Sequence, residues 1–300
     1  MKRSAAFLVS LFLISCAAHQ RSHIKANEEF VIELKKPSTR GGVAEIALQG
    51  LFFGANYLAE KSTKALTSSY SQSLSVNDYY NTDLGYVEKT YNEIHIKKYA
   101  NPEDPEIEEQ LRDTITREIK SLPKTRGTKT TSLSLENAFR EEKNDLLSFH
   151  AVIELISDPE NPGVTRLSFN ELYIFFSRTK VFSDEDLNAR FSVSIEGQWR
   201  NTDGTPMKDT LIEQEYEFRN LKYGPENQID TPILSPWYVD IPIAKELEEG
   251  LKYGVVQVNV QLEEYEGNRS KYINQLPSIL SDNKNTIIKD GAATIQKITD

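Results

Sequence analysis

Ala189 to Trp199 is the segment that most narrows the possible folds. Phe191, Val193, Ile195, Gly197 and Trp199 share one parity, and Arg190, Ser192, Ser194, Glu196 and Gln198 share the other. Side chains alternate between faces along a strand, so this pattern specifies a strand with one apolar face and one polar face. Asn201 to Thr205 supplies turn residues. The chain then resumes alternation, with Ile212, Tyr216 and Phe218 opposing Glu213, Glu215 and Glu217. The two runs predict a hairpin with one wet face. Leu147 to Ile156 ends in the turn signal Asp158 to Gly163 and reads as another strand, followed by Leu167 to Phe176. Val256, Val258, Val260 and Leu262 mark one more, after a short helix expected over Ala244 to Leu251 and closed by Gly254. Antiparallel strands separated by turns predict an α+β chain: a mainly antiparallel, β-sandwich-like C-terminal domain over 133–268 beside a smaller N-terminal α/β module over 28–122.

In that module, Phe30 to Leu34 reads as a strand and Lys35 to Gly42 as a loop. Val43 to Leu66 reads as a helix that is apolar nearly all round its middle. Gly50 and Gly54 form a pair that lets helices approach closely, with Phe53 and Tyr57 beside them. Glu45, Gln49 and Asn56 interrupt the run, which favours a buried core helix; a partner-binding or membrane-inserting helix is the other reading. Thr67 to Asn81 reads as a long loop or edge strand, or as an adaptable tyrosine–serine binding surface. Tyr86 to Tyr99 is expected to be extended. Pro102 and Pro105 bracket a helix start, and Ile107, Leu111, Ile115 and Ile119 step by four along a narrow apolar stripe. Polar, basic residues 123–132 read as a linker, and 269–300 as a helical or loosely ordered extension.

Composition sets further limits. The chain has 300 residues, a formal charge of −10 and a single cysteine, Cys16. One cysteine leaves no intrachain disulfide, so packing must hold the body together. An acidic body argues against nucleic acid or anionic lipid as the main partner.

Lys2 and Arg3 precede the apolar run Ala5 to Ile14, which is too short to span a bilayer. Leu13, Ile14, Ser15 and Cys16 follow, and this stretch resembles the lipobox of bacterial lipoproteins. The resemblance covers residues 1–16 and implies several things. Residues 1–15 would be a signal peptide, and Cys16 would carry a diacylglycerol thioether and an acylated amine. Residues 16–27 read as the lipidated flexible tether, because Ala17 to Asn27, which include His19 and His23, are polar and lack apolar periodicity. Without an Asp at position 17, where Ala17 stands, the resemblance favours the outer membrane, facing the periplasm. Two or more acyl chains give durable anchoring.

The chemical motifs are sparse. A Gly-x-Ser-x-Gly elbow is absent, and four Ser-x-x-Lys matches (Ser22/Lys25, Ser121/Lys124, Ser177/Lys180 and Ser281/Lys284) are scattered without the context a reactive serine needs. The four histidines never pair at helical spacing. Asp184, Glu185 and Asp186 lack the ligand spacing of a calcium loop, so no metal and no cofactor are expected. Glu213, Glu215 and Glu217 share one wet face, whereas a glycosidase needs two acids in different environments. Trp199 falls on the core parity. Trp237 and Tyr238 follow Ser235 and Pro236 in a loop and form the candidate ligand platform. The expectation is a membrane-anchored, non-catalytic binding or structural component of an envelope assembly, with a protein partner. A glycan- or cell-wall-binding lipoprotein is the alternative, and a hydrolase with a dispersed site is the third.

Overall fold

A computed structural model describes residues 19–35, 67–77, 80–81, 86–87, 89, 91–122, 125–126, 129–130, 132–182, 185–224, 229, 231–242, 247 and 254–267. In chain order the elements begin with β1 (Ala26–Lys35), β2 (Thr67–Asn77), the short β3 (Tyr80–Asn81) and β4 (Tyr86–Val87), and β5 (Glu93–Pro102). Helix α1 (Pro105–Ser121) follows, then short β6 (Thr125–Arg126) and β7 (Lys129–Thr130), α2 (Leu135–Ala138) and β8 (Phe139–Arg140). The remainder is β9 (Asp145–Ser157), β10 (Val164–Ile174), β11 (Leu187–Arg200), β12 (Pro206–Leu221), β13 (Ile233–Leu234), β14 (Tyr238–Val239) and β15 (Gly254–Glu266).

Two antiparallel sheets carry the fold. One runs β1-β5-β9-β10-β13, with β14 also on β10 and β8 on β9; the other runs β12-β11-β15-β2. Phe30, Ile32, Ile94, Ile96, Phe149 and Phe169 from the first sheet meet Phe191, Val193, Val258, Val260 and Leu262 from the second in one buried core. This is the β-sandwich-like arrangement that the alternating runs predict. Each such side chain contributes roughly 1.5–3 kcal/mol when fully removed from water, which lets the chain dispense with disulfides.

The β11–β12 hairpin forms as expected. Its turn closes through Asn201 N–H donating to Thr205 O at 3.1 Å, with Gly204 at φ 81° where an L side chain would be strained. β12 is an edge strand, and Glu213, Glu215 and Glu217 are exposed on it. Of the readings for 67–81, residues 67–77 form the edge strand β2.

Helix α1 follows its sequence signals. The Asp104 side chain accepts from Glu106 N–H at 3.0 Å, Pro105 opens the first turn, and Glu106 and Glu108 sit at the positive end of the dipole. Leu111, Ile115 and Ile119 are buried against Val31, Tyr99, Leu146 and Phe175 in a second core, on the outer side of the first sheet.

Two expectations are corrected. The boundary at 123–132 does not separate two sheets: β1 and β5 pair into the same sheet as β9 and β10, while β2 pairs with β15 in the other. Local turn composition marks where the chain is polar, not which strands exchange hydrogen bonds. The tether is not free from residue 19 onward. His19 N–H donates to Val181 O at 2.8 Å, His23 N–H to Thr179 O at 3.3 Å and Ile24 N–H to Ser177 O at 3.2 Å. Arg21 pairs with Glu118 of α1 at 2.6 Å, and Ser22 and Ile24 are buried. These contacts are made to residues far away in the chain, so the segment has no periodicity of its own to reveal them.

The signal and lipobox residues 1–16, the helix expected over 43–66 and the extension 269–300 lie outside the described residues, as does 244–251 apart from residue 247.

Candidate functional site

Three polar constellations and one apolar rim stand out from the sandwich. The first arises where the inter-sheet parity turns ionic. Ile94 and Ile96 lead to Lys98 on β5, Val258, Val260 and Leu262 lead to Glu264 on β15, and Phe30 leads back to Glu28 on β1. Strand alternation therefore drives three charged groups into the core side of the sheets. Lys98 and Glu264 are both 0% exposed. Lys98 Nζ lies 2.6 Å from Glu264 Oε1 and 3.4 Å from Glu28 Oε1, and 4.7 Å from the Tyr70 ring centroid. The Tyr70 hydroxyl donates to Glu28 Oε2, and Ser177 Oγ donates to Glu264 Oε2 at 2.5 Å.

Charge bookkeeping follows from burial. Burial opposes the ammonium of Lys98, but the Glu264 and Glu28 carboxyls outweigh it and raise its pKa. Burial also raises Glu28, against the pull of Lys98, and Glu264 adds to the rise. Burial thus favours the uncharged form of Glu28, the form that beside a Lys98–Glu264 ion pair would leave the node neutral.

The second constellation lies on the outer side of the first sheet. His95 Nδ1 is 3.2 Å from His150 Nε2, and His95 Nε2 is 2.9 Å from Glu93 Oε2. Burial, then the neighbouring His95 charge, pushes His150 well below the usual imidazole range. Lys97 meets Glu33 at 2.7 Å beside them. Burial pushes the Glu33 carboxyl up, yet Lys97 outweighs it and holds it low. This is a linked pair of rings with one carboxylate. Among the described residues no three His, Cys, Asp or Glu side chains converge as metal ligands.

The third constellation is a pocket at the far end of the sandwich. Lys89 pairs with Asp240 at 2.6 Å, and Thr165 Oγ1 donates to Asp240 Oδ2 at 2.8 Å. Tyr91 and Tyr238 line the same pocket above Ile195 and Val256; it encloses about 260 Å³ of empty space, its open mouth included. The space it leaves for a bound molecule is about 10 Å³, room for no more than one water, and the ion pair occupies its polar wall.

The fourth feature is apolar and exposed. Among the described residues the exposed large hydrophobics are Met207, Ile233, Leu234, Trp237 and Val239, the last at 67%. Met207 opens edge strand β12, and the other four lie in or between β13 and β14 on the edge of the first sheet. β12 passes beside β14. Ile233, Leu234, Trp237 and Val239 thus leave one sheet edge apolar and exposed, the kind of patch that protein contacts use.

The structure separates the expected platform pair. Trp237 is 44% exposed, but the Arg166 guanidinium sits 4.3 Å from its ring centroid; Tyr238 is buried in the pocket. Trp199 is half-buried and packs on the inter-sheet core. Glu215 meets Arg190 at 2.9 Å and Glu217 meets Arg219 at 3.1 Å, so the acid row is laced with cations on one wet face. Of the Ser-x-x-Lys matches, Ser177 is committed to Glu264, and Lys180 lies over the Phe182 ring at 4.6 Å. Glu185 sits against Gly267, and Asp184 lies outside the described residues. Leu13, Ile14, Ser15 and Cys16 also lie outside, as do Gly50, Phe53, Gly54 and Tyr57. Sequence reasoning missed Lys98, Glu28 and Glu264; the readable signal was a charge standing at the core parity of three strands.

No family model, curated protein or solved structure matches this chain, and so no enzyme family does. Among the described residues no helix is long and apolar enough to cross a membrane.

Proposed function

We infer that this chain is a lipid-anchored envelope protein that serves as a non-catalytic binding component of a larger assembly, held by Cys16 and engaging a protein partner through the Ile233–Val239 rim. The observation that carries the reading is the placement of that rim relative to the docked N-terminus. Residues 19–24 pack on 177–181, just past the Ile174 end of β10, whereas Val239 pairs with Val164 at its other end. Eleven residues of strand put these ends roughly 35 Å apart. Two residues separate Cys16 from His19, a reach of at most about 11 Å. A lipid on Cys16 would hold the 177–181 end at the bilayer and turn the apolar rim outward, toward other envelope proteins.

The glycan reading has less support. A sugar platform needs an open aromatic face, and Arg166 covers one face of Trp237 while Tyr238 is inside. Outer-membrane placement rests on the resemblance at residues 13–17 alone.

A photo-reactive amino acid at Val239, compared with one at Glu109 on the exposed side of α1, tests the reading in cells. A discrete crosslinked protein at Val239, absent at Glu109 and lost in the Trp237→Asp, Leu234→Asp double variant, is expected. Equal crosslinking at both positions would overturn the rim as the binding surface.

A further inference from the structure

The geometry points to a covalent cross-link between the two sheets: an isopeptide amide joining Lys98 Nζ to the side-chain carbonyl carbon of Glu264, with Glu28 as the proton relay. An amine, the carboxyl it would acylate on and a second carboxyl share one site sealed from water. Nζ is 2.6 Å from Glu264 Oε1 and 3.4 Å from Glu28 Oε1, and the Lys98 and Glu264 side chains are wholly inaccessible. Each reactant is held from outside the pair. Ser177 Oγ donates to the second Glu264 oxygen at 2.5 Å, the Tyr70 hydroxyl to Glu28, and Ser148 Oγ to the Lys98 backbone carbonyl at 3.0 Å. Reactants locked this way react as if at effective concentrations of about 10⁵–10⁸ M.

The step balances without any added reagent. The Lys98 ammonium gives a proton to the carboxyl pair and the free amine attacks Cδ of Glu264. The nitrogen then gives a second proton to Glu28, which passes both protons to the departing oxygen and ends in the state in which it began; one C–O bond breaks as the C–N bond forms, and one water leaves. The ammonium and carboxylate charges vanish together, which removes the desolvation cost that a buried ion pair carries. The dry site that makes the ion pair costly also excludes the water that would hydrolyse the amide. The residues joined are 166 apart in sequence and lie on opposite sheets, in a chain whose one cysteine allows no intrachain disulfide. The bond would tie β5 to β15 as a disulfide might, with no dependence on redox conditions.

Denaturing tryptic digestion of the full-length protein, read by mass spectrometry, decides the matter independently of anything attached at Cys16. The expected result is the Lys98 peptide joined to the Glu264 peptide, one water lighter than their sum, with no cleavage after Lys98. Glu264→Gln is expected to form the same link with loss of ammonia instead. Glu28→Gln, which keeps the side-chain volume, is expected to give separate peptides from a chain with unchanged circular dichroism. Separate Lys98 and Glu264 peptides from the unsubstituted protein would show an ion pair only and overturn the cross-link. Full linkage in Glu28→Gln would overturn the relay.

Discussion

Acidification should weaken this fold through one residue in particular, His150. Its ring is enclosed between His95, with centroids 5.4 Å apart, and Tyr173, at 6.3 Å, and its Nε2 meets His95 Nδ1. Its Nδ1 is buried and has no hydrogen-bond partner among the described residues. Burial comes first, then the nearby His95, Lys97 and Lys35 charges, in holding the imidazole neutral well below its ordinary value of 6.5. The folded state therefore declines a proton that the unfolded chain accepts. Below 6.5 the unfolded state binds more protons, so stability falls as pH falls, and the contribution is intact only above that value. Each pH unit below the unfolded pKa costs about 1.4 kcal/mol until the folded group titrates. Moving from about pH 7.5 to about pH 5.5 should thus remove on the order of 1 kcal/mol through His150 alone, roughly a tenfold change in the folded-to-unfolded ratio. The assay is urea unfolding of the parent and of His150→Gln at both pH values. The difference between their acid-induced losses isolates His150 from every other carboxylate and imidazole. Equal losses in the two proteins would mean that the ring titrates normally and that water reaches it, contrary to its burial between β5 and β10.

Further outcomes follow from packing and charge. Ile115→Ala should cost about 2–5 kcal/mol in urea unfolding, because Ile115 is the fully buried centre of the α1 stripe; a loss under about 1 kcal/mol would mean that α1 does not hold the outer core. Gly197→Val should destabilise by about 1–3 kcal/mol, since even a Cβ there would stand 2.8 Å from Ile241 Cγ1 and 3.2 Å from Leu211 Cδ2. A neutral thermal shift would show that this side of β11 has room. Glu28 has a raised folded pKa, so its contribution is present below the ordinary value of 4.5 and is lost as pH rises through the folded pKa. In protein whose Lys98 and Glu264 peptides separate, Glu28→Gln should be flatter than the parent across that window, and parallel pH profiles would contradict the raised pKa of Glu28.

Much of the sandwich was legible because its strands repeat a short period. Phe191 to Trp199, Ile212 to Phe218 and Val256 to Leu262 announce their faces one residue at a time, and the turn at 201–205 joins the first two. Helix α1 was equally open to reading, since Asp104, Pro105 and the four-residue isoleucine–leucine steps are all local. What stayed hidden was non-local. Nothing in His19 to Lys25 indicates that Ser177, Thr179 and Val181 offer carbonyls to it, and nothing near residue 123 says that β1 will pair with β5 and β2 with β15. The ionic node was half-visible. Lys98, Glu28 and Glu264 break their strands' apolar parity, but each looks like a strand end until the three are brought together. Trp237 and Tyr238 show the limit of adjacency: Trp237, just before β14, is exposed, while Tyr238, its first residue, is enclosed.

We propose that the body is fastened to an envelope membrane through residue 16. Peptide mass spectrometry of the protein purified from membranes tests it most directly. A mature amino terminus at Cys16, carrying diacylglycerol on sulfur and an acyl chain on nitrogen, is the predicted result. An intact Met1, or an unmodified thiol at Cys16 in membrane-bound protein, would contradict it.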